Sequence, residues 1–144
     1  MTQTIDAVML VAGSAEGSAF VLSEPLSFWG GLDSATGAII DQWHPQKAQI
    51  MSGKILVMKA GRGSSSGSSV LAEAIRRGTG PAGIVLMTRD AIVTVGAMVA
   101  AELYAAHCPV VLVSETDWPR ITRSPELRLT AKEGGATLEL LGPC

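Results

Sequence analysis

Residues 59–70 read KAGRGSSSGSSV, with five serines, three glycines and one arginine. Several kinds of chemistry use such a stretch. A phosphate loop needs glycines at set spacing, but these stand at Gly61, Gly63 and Gly67, one position too long for GxGxxG. No lysine follows Gly67, so the Walker A pattern is also absent. Gly63-Ser64-Ser65-Ser66-Gly67 satisfies GxSxG, the elbow that presents a serine nucleophile, and would make Ser65 the attacking group. That chemistry then requires an acid and a histidine further along. The one downstream histidine, His107, immediately precedes Cys108-Pro109 and an apolar run, and serine tracts between glycines match the pattern easily.

A serine can also act as a base. Its hydroxyl is a poor one unless N–H donors and a nearby cation stabilise the alkoxide in a site closed to water. Gly61-Arg62-Gly63 ahead of Ser64 supplies both an arginine and backbone amides. Arg62 suits a carboxylate substrate, which it can hold through paired hydrogen bonds. The matching reaction is proton abstraction beside a carboxylate, as in dehydratases and isomerases, and it needs an electrophile for the leaving hydroxide. The plainest alternative is a solvated connection whose serines cap a helix, although such connections usually need only about 2–6 residues.

The surrounding elements place this stretch. AVMLVAG (7–13) and SAFVLS (18–23) read as strands separated by a turn at SAEG (14–17), and GAII (37–40) as a short strand in a Pro/Gly-punctuated segment. GKILVMK (53–59), AGIVLMT (82–88) and CPVVLVS (108–114) are continuous apolar runs of strand length, the pattern of strands buried on both faces. Between them, 68–78 and 89–104 carry helical periodicity, the second with Asp90 near its start, where a carboxylate suits the free N–H groups. PELRLTAK (125–132) and ATLELL (136–141) form a β tail around a Gly134-Gly135 turn. Strand–helix–strand–helix–strand order implies parallel pairing. The fold class is α/β: a parallel β core with two main helices and a flanking β layer, in one domain over residues 1–144. The Gly/Ser stretch then lies after a parallel strand and before a helix, where open α/β sheets bind ligands and anions.

Composition excludes several functions. Net charge is −2 with scattered basic residues and 4% aromatics, which leaves no footprint for nucleic acid. No apolar run approaches the roughly 20 residues of a membrane span, and MTQTIDAVML lacks the basic start of a signal peptide, so a cytoplasmic setting is expected. A hydrophobic fraction of 47% suggests that some surface is covered by a partner. Cys108 and Cys144 form no metal-binding pattern, and Cys108 reads as a small core residue. No metal site is expected in the chain.

EPLSFWGGLDSATGAIIDQWHP (24–45) and KAGRGSSSGSSVLAEAIRRGTGPAGIVLMTRDAIVTVGAMVAAELY (59–104) resemble the small, swivelling subunit of aconitase X enzymes. FWGGLD and GRGSSSGS, in that order, carry the resemblance. It implies a swivelling β/β/α domain that closes over a large catalytic subunit carrying an iron centre, either an iron–sulfur cluster or mononuclear iron. It implies dehydration of a small hydroxy acid: cis-3-hydroxy-L-proline to 1-pyrroline-2-carboxylate in a bacterial branch, which the wording of the loop favours, or mevalonate 5-phosphate in an archaeal branch. By the same resemblance Ser64 is the proton-abstracting base, and Arg62, Gly63 and Ser65 contact substrate. Trp29, Gly30, Gly31, Asp33 and His44 fall at the subunit interface or the rim of the active site. Relatives often carry HHP where this chain has Trp43-His44-Pro45. On their own chemistry Trp29 is an interface or core anchor, Gly30-Gly31 a tight turn, Asp33 a turn residue and His107 a helix C-terminal residue. A non-catalytic module whose loop captures an anion stays open as a rival from another class.

Overall fold

A computed structural model describes residues 3–142. Seven strands close into a barrel, in the order β1 (Gln3–Val11), β7 (Val110–Leu112), β6 (Gly83–Leu86), β5 (Ile55–Met58), β2 (Gly13–Val21), β8 (Glu126–Lys132) and β9 (Gly135–Leu141), and a separate two-stranded ribbon, β3 (Leu32–Asp33) with β4 (Ala38–Ile39), lies beside it. The expected parallel core is β5 (Ile55–Met58), β6 (Gly83–Leu86) and β7 (Val110–Leu112), connected through α1 (Gly67–Arg77) and α2 (Ala91–Tyr104). Every residue of β5 and β6 is buried, as their unbroken apolar runs require.

The flanking β layer is the antiparallel pair β8 (Glu126–Lys132) and β9 (Gly135–Leu141). β1 (Gln3–Val11) and β2 (Gly13–Val21) join this pair to the parallel core. β1 pairs with β9 over Gln3–Ala7 and with β7 from Val8 onward; β2 pairs with β8 over Gly13–Ser18 and, in parallel, with β5 over Ala19–Val21. The expected turn at 14–17 is therefore replaced by unbroken strand, and the break falls at Ala12. Gly17 explains the misreading. A Cβ there would stand 2.8 Å from the Gly53 carbonyl oxygen, so the glycine marks a close backbone approach within a strand.

Strand alternation divides the apolar residues into two cores. Ile55, Val57, Val85 and Val111 join Ile5, Leu127, Leu129, Leu138 and Leu140 inside the barrel. Their neighbours Leu56, Met58, Ile84, Leu86 and Val110 face outward and pack against Leu71 and Ala74 of α1, Val93 and Ala97 of α2, and Leu26, Phe28 and Ile39 of the preceding segment. Sequence periodicity gives no sign of a short helix α3 (Trp118–Thr122), entered through a 3-10 turn at Glu115–Asp117, whose Trp118 and Ile121 complete the barrel core. Cys108 is fully buried beside β7, and burial pushes its thiol up to about 12. Cys144 lies outside the described residues.

Candidate active site

The Gly/Ser stretch emerges at the carboxyl end of β5. Its base is tied down by backbone bonds: the Lys59 carbonyl accepts from Met87 N–H (3.1 Å) and Thr88 N–H (2.8 Å), and Arg62 N–H donates to Leu26 O (3.4 Å). Gly61 N–H donates to Asp90 Oδ2 at 3.0 Å, while Oδ1 of the same carboxylate caps α2 through Val93 N–H, also at 3.0 Å. Gly63 has φ +101°, and a Cβ there would collide with the Ser27 side chain. The loop therefore needs glycine at this position both for the left-handed backbone and for space.

From Ser64 the chain winds into α1. Gly67, Ser68 and Ser69 donate their N–H groups to the carbonyls of Ser64, Ser65 and Ser66 at 2.9, 3.1 and 3.2 Å. Ser66 occupies the cap position with helical dihedrals and makes no side-chain cap bond, so Ser66 does not serve as a side-chain cap. The first helical amides are consumed within the turn. The consecutive N–H groups of Gly63, Ser64 and Ser65 find no acceptor among the described residues. Ser64 Oγ accepts from Ser66 N–H at 3.1 Å. A donor into that oxygen favours its deprotonated form. Arg62 through Ser66 are all exposed, whereas stabilising an alkoxide requires exclusion of water. The loop holds donors, a hydroxyl and a cation together but lacks a cover.

The cation is placed by a residue that motif reading passed over. Arg62 Nη2 lies 3.5 Å from Asp41 Oδ2. Asp41 is held in turn by Trp43 N–H, which donates to Oδ1 at 2.9 Å. Asp41 belongs to the DQWHP stretch, and the signal that could have found it is an aspartate two residues ahead of a backbone donor, a spacing that leaves one carboxylate oxygen free.

The remaining positions separate clearly. Asp33 accepts from Ala35 N–H (2.9 Å) and Thr36 Oγ1 (3.1 Å) in a local turn. Gly30 (φ +75°) and Gly31 make the turn in which Gly31 N–H and Leu32 N–H donate to Phe28 O. His44 is buried; its Nδ1 accepts from Gln46 N–H and its Nε2 faces Glu24 O, both at 3.1 Å, so the ring is the neutral Nε2–H tautomer with both nitrogens engaged. Trp29 is 60% exposed and Trp43 83%, on the segment that supplies Asp41. His107 precedes β7, at the opposite end of the parallel strands from Ser65, and lines a shallow cavity with Ala12, Gly13 and Ser14. A Ser65–His107 pair is therefore impossible, and the hydrolase elbow has no base. Among the described residues no group of three or more His, Cys, Asp or Glu side chains could hold a metal ion, and no helix is long and apolar enough to cross a membrane.

Comparison with known proteins agrees with this architecture. The family model of the aconitase X swivel domain matches residues 4–138. A cis-3-hydroxy-L-proline dehydratase of Pseudomonas aeruginosa is 43% identical over 106 residues, covering 74% of this chain and 18% of its own length. The chain thus spans about a fifth of that relative. A phosphomevalonate dehydratase small subunit of Pyrococcus furiosus is 35% identical over 125 residues, covering 87% of each chain. The crystal structure of Thermococcus kodakaraensis aconitase X in its holo form superposes with a TM-score of 0.79 at 29% identity, over 97% of this chain and 99% of that one. A barrel with two crossover helices, a Gly/Ser loop at the end of β5 and a family match over nearly its whole length place this chain in the aconitase X swivel-domain family.

Proposed function

We propose that the chain is the small, swivelling part of a hydro-lyase and supplies the base for dehydration of a hydroxy acid held by a larger catalytic subunit. The observation that carries this reading is the uncovered loop, which joins the Ser64 hydroxyl, the Arg62 guanidinium and the unpaired amides of residues 63–65 on one exposed rim. Such a site works only when a second surface excludes water from it. The described residues do not fit an iron centre. The iron–sulfur cluster or mononuclear iron implied by the family is assigned to the larger subunit.

The substrate we favour is cis-3-hydroxy-L-proline, in keeping with the 43% identity to a dehydratase of that name. Arg62 binds the carboxylate through paired N–H donors, with Gly63 and Ser65 offering amides beside it. Ser64 Oγ, as alkoxide, takes the proton from the carbon bearing the carboxylate. The electron pair left on that carbon forms the double bond to C3, and the C3–O bond breaks with loss of hydroxide, which is taken up outside this chain. The resulting enamine tautomerises to 1-pyrroline-2-carboxylate, so substrate minus water equals product. The 144 residues act as one swivelling domain of a cytoplasmic heteromer.

Co-expression with a larger aconitase X subunit tests the reading. Dehydration of cis-3-hydroxy-L-proline is expected from the assembled protein and from neither part alone. Turnover of mevalonate 5-phosphate instead would reassign the substrate. Tight binding of a carboxylate by the isolated chain, with no turnover in any combination, would make it an anion-binding module.

A further inference from the structure

We infer that Asp41 is a positioning residue that aims Arg62 at the substrate carboxylate, and this rests on the proposed hydroxy-acid chemistry of the loop. The two residues come from the two separate motifs, DQWHP and GRGSSSGS, and meet only in the folded chain. Control runs from Asp41 to Arg62 because their anchoring is unequal. The Asp41 side chain is 21% exposed and fixed through Oδ1 by the Trp43 N–H, whereas the Arg62 side chain is 50% exposed. The closest approach of its guanidinium to Asp41 is Nη2 at 3.5 Å, an ion pair without a direct hydrogen bond. A guanidinium carries five N–H donors in a rigid plane. The Asp41 charge draws one corner of that plane toward itself and leaves all five donors free for a paired grip on a carboxylate. The pair is too exposed to serve stability, since ion pairs of this kind contribute little to folding. An orienting role is what the geometry leaves for it.

The opposite role would be competition, in which Asp41 neutralises Arg62 and must be displaced by substrate. The two differ in sign. Asp41→Asn keeps an oxygen to accept from Trp43 N–H and removes only the charge facing Arg62. In the assembled enzyme acting on cis-3-hydroxy-L-proline, Asp41→Asn is expected to raise KM between about threefold and tenfold, short of the cost of losing the Arg62–carboxylate hydrogen bonds themselves, with kcat within about twofold of the parent. Asp41→Glu should restore part of the loss, and thermal stability should not change. An unchanged or lowered KM overturns the inference.

A second measurement needs no turnover. In the isolated chain of residues 1–144, the side-chain Nε–H of Arg62 should lose order in 15N relaxation when Asp41 is replaced by Asn, while the backbone of residues 61–66 stays as it was. Unaltered Arg62 dynamics would overturn the proposal even if KM rose. Should Ser64→Ala retain full dehydratase activity, the serine-base reading fails by itself and the relaxation experiment alone decides the role of Asp41.

Discussion

The Asp90 carboxylate bridges two loops: one oxygen accepts from Gly61 N–H and the other from Val93 N–H, each at 3.0 Å. One side chain thus caps α2 and pins the base of the Gly/Ser stretch three residues before Ser64. The parallel strands β5 and β6 bring the two loops to the same edge of the sheet, and Asp90 converts that neighbourhood into a fixed distance.

Substitutions at Asp90 can separate its two duties. Asp90→Ser retains a good capping residue on a shorter side chain that no longer reaches Gly61. Asp90→Ala removes both bonds and should cost about 1 kcal/mol more than the serine variant, the usual value of a helix cap. Amide hydrogen exchange at residues 61–66 should quicken in both. Loop exchange at the parent rate in Asp90→Ser would show that Asp90 is a cap and nothing more.

Ser64→Ala in the assembled enzyme should lower kcat by at least about 10²-fold, the low end of what a positioned general base contributes, with little change in KM. Ser65→Ala and Arg62→Lys should raise KM as well, because a lysine cannot reproduce the planar grip on a carboxylate. Solvent exchange of the substrate α-proton gives a separate readout. Normal exchange in an active Ser64→Ala enzyme would return the loop to anion binding.

Trp29 stands 60% exposed beside Phe28, which is buried in the core. Exposed tryptophan on a small-residue segment is what an interface anchor looks like. Trp29→Ala is expected to weaken association with the larger subunit by about 2 kcal/mol or more, as anchors of this type do. The free chain should keep its stability within about 0.5 kcal/mol, the usual range for surface changes. Unfolding of the isolated variant would instead make Trp29 a core residue.

Burial raises the Cys108 thiol from its ordinary value of 9.0 to about 12. The folded chain therefore holds this proton more tightly than the unfolded one. The resulting contribution to stability is complete below the unfolded value and is lost progressively as pH rises from about 9 toward 12. Peptide mapping after iodoacetamide treatment at pH 8 should find Cys108 unmodified in native protein and alkylated in denaturant. Rapid labelling in the native state would contradict its burial.

The features legible in the amino-acid order were local in origin. The apolar runs around Ile55–Met58, Gly83–Leu86 and Val110–Leu112 could satisfy their hydrophobicity only as strands covered on both faces, so the parallel core and its two helices were readable. The position of the Gly/Ser stretch after β5 followed from the same order. Asp33 as a turn residue and Asp90 at a helix start were likewise legible, because an aspartate bonds to donors two or three residues away. The remaining features came from packing between distant segments. Closure of the barrel depends on pairing β1 with β9 and β2 with β8, across more than 100 residues, and no short-range pattern encodes such partners. Gly17 reads as a turn until the Gly53 carbonyl is seen against it. The partners of His44, Glu24 and Gln46, which engage both of its nitrogens, appear only once the chain is folded. Asp41 is an unremarkable acid until the fold sets it 3.5 Å from Arg62. In each case the deciding contact joins atoms whose proximity is created by packing, after the local preferences of either segment have been spent.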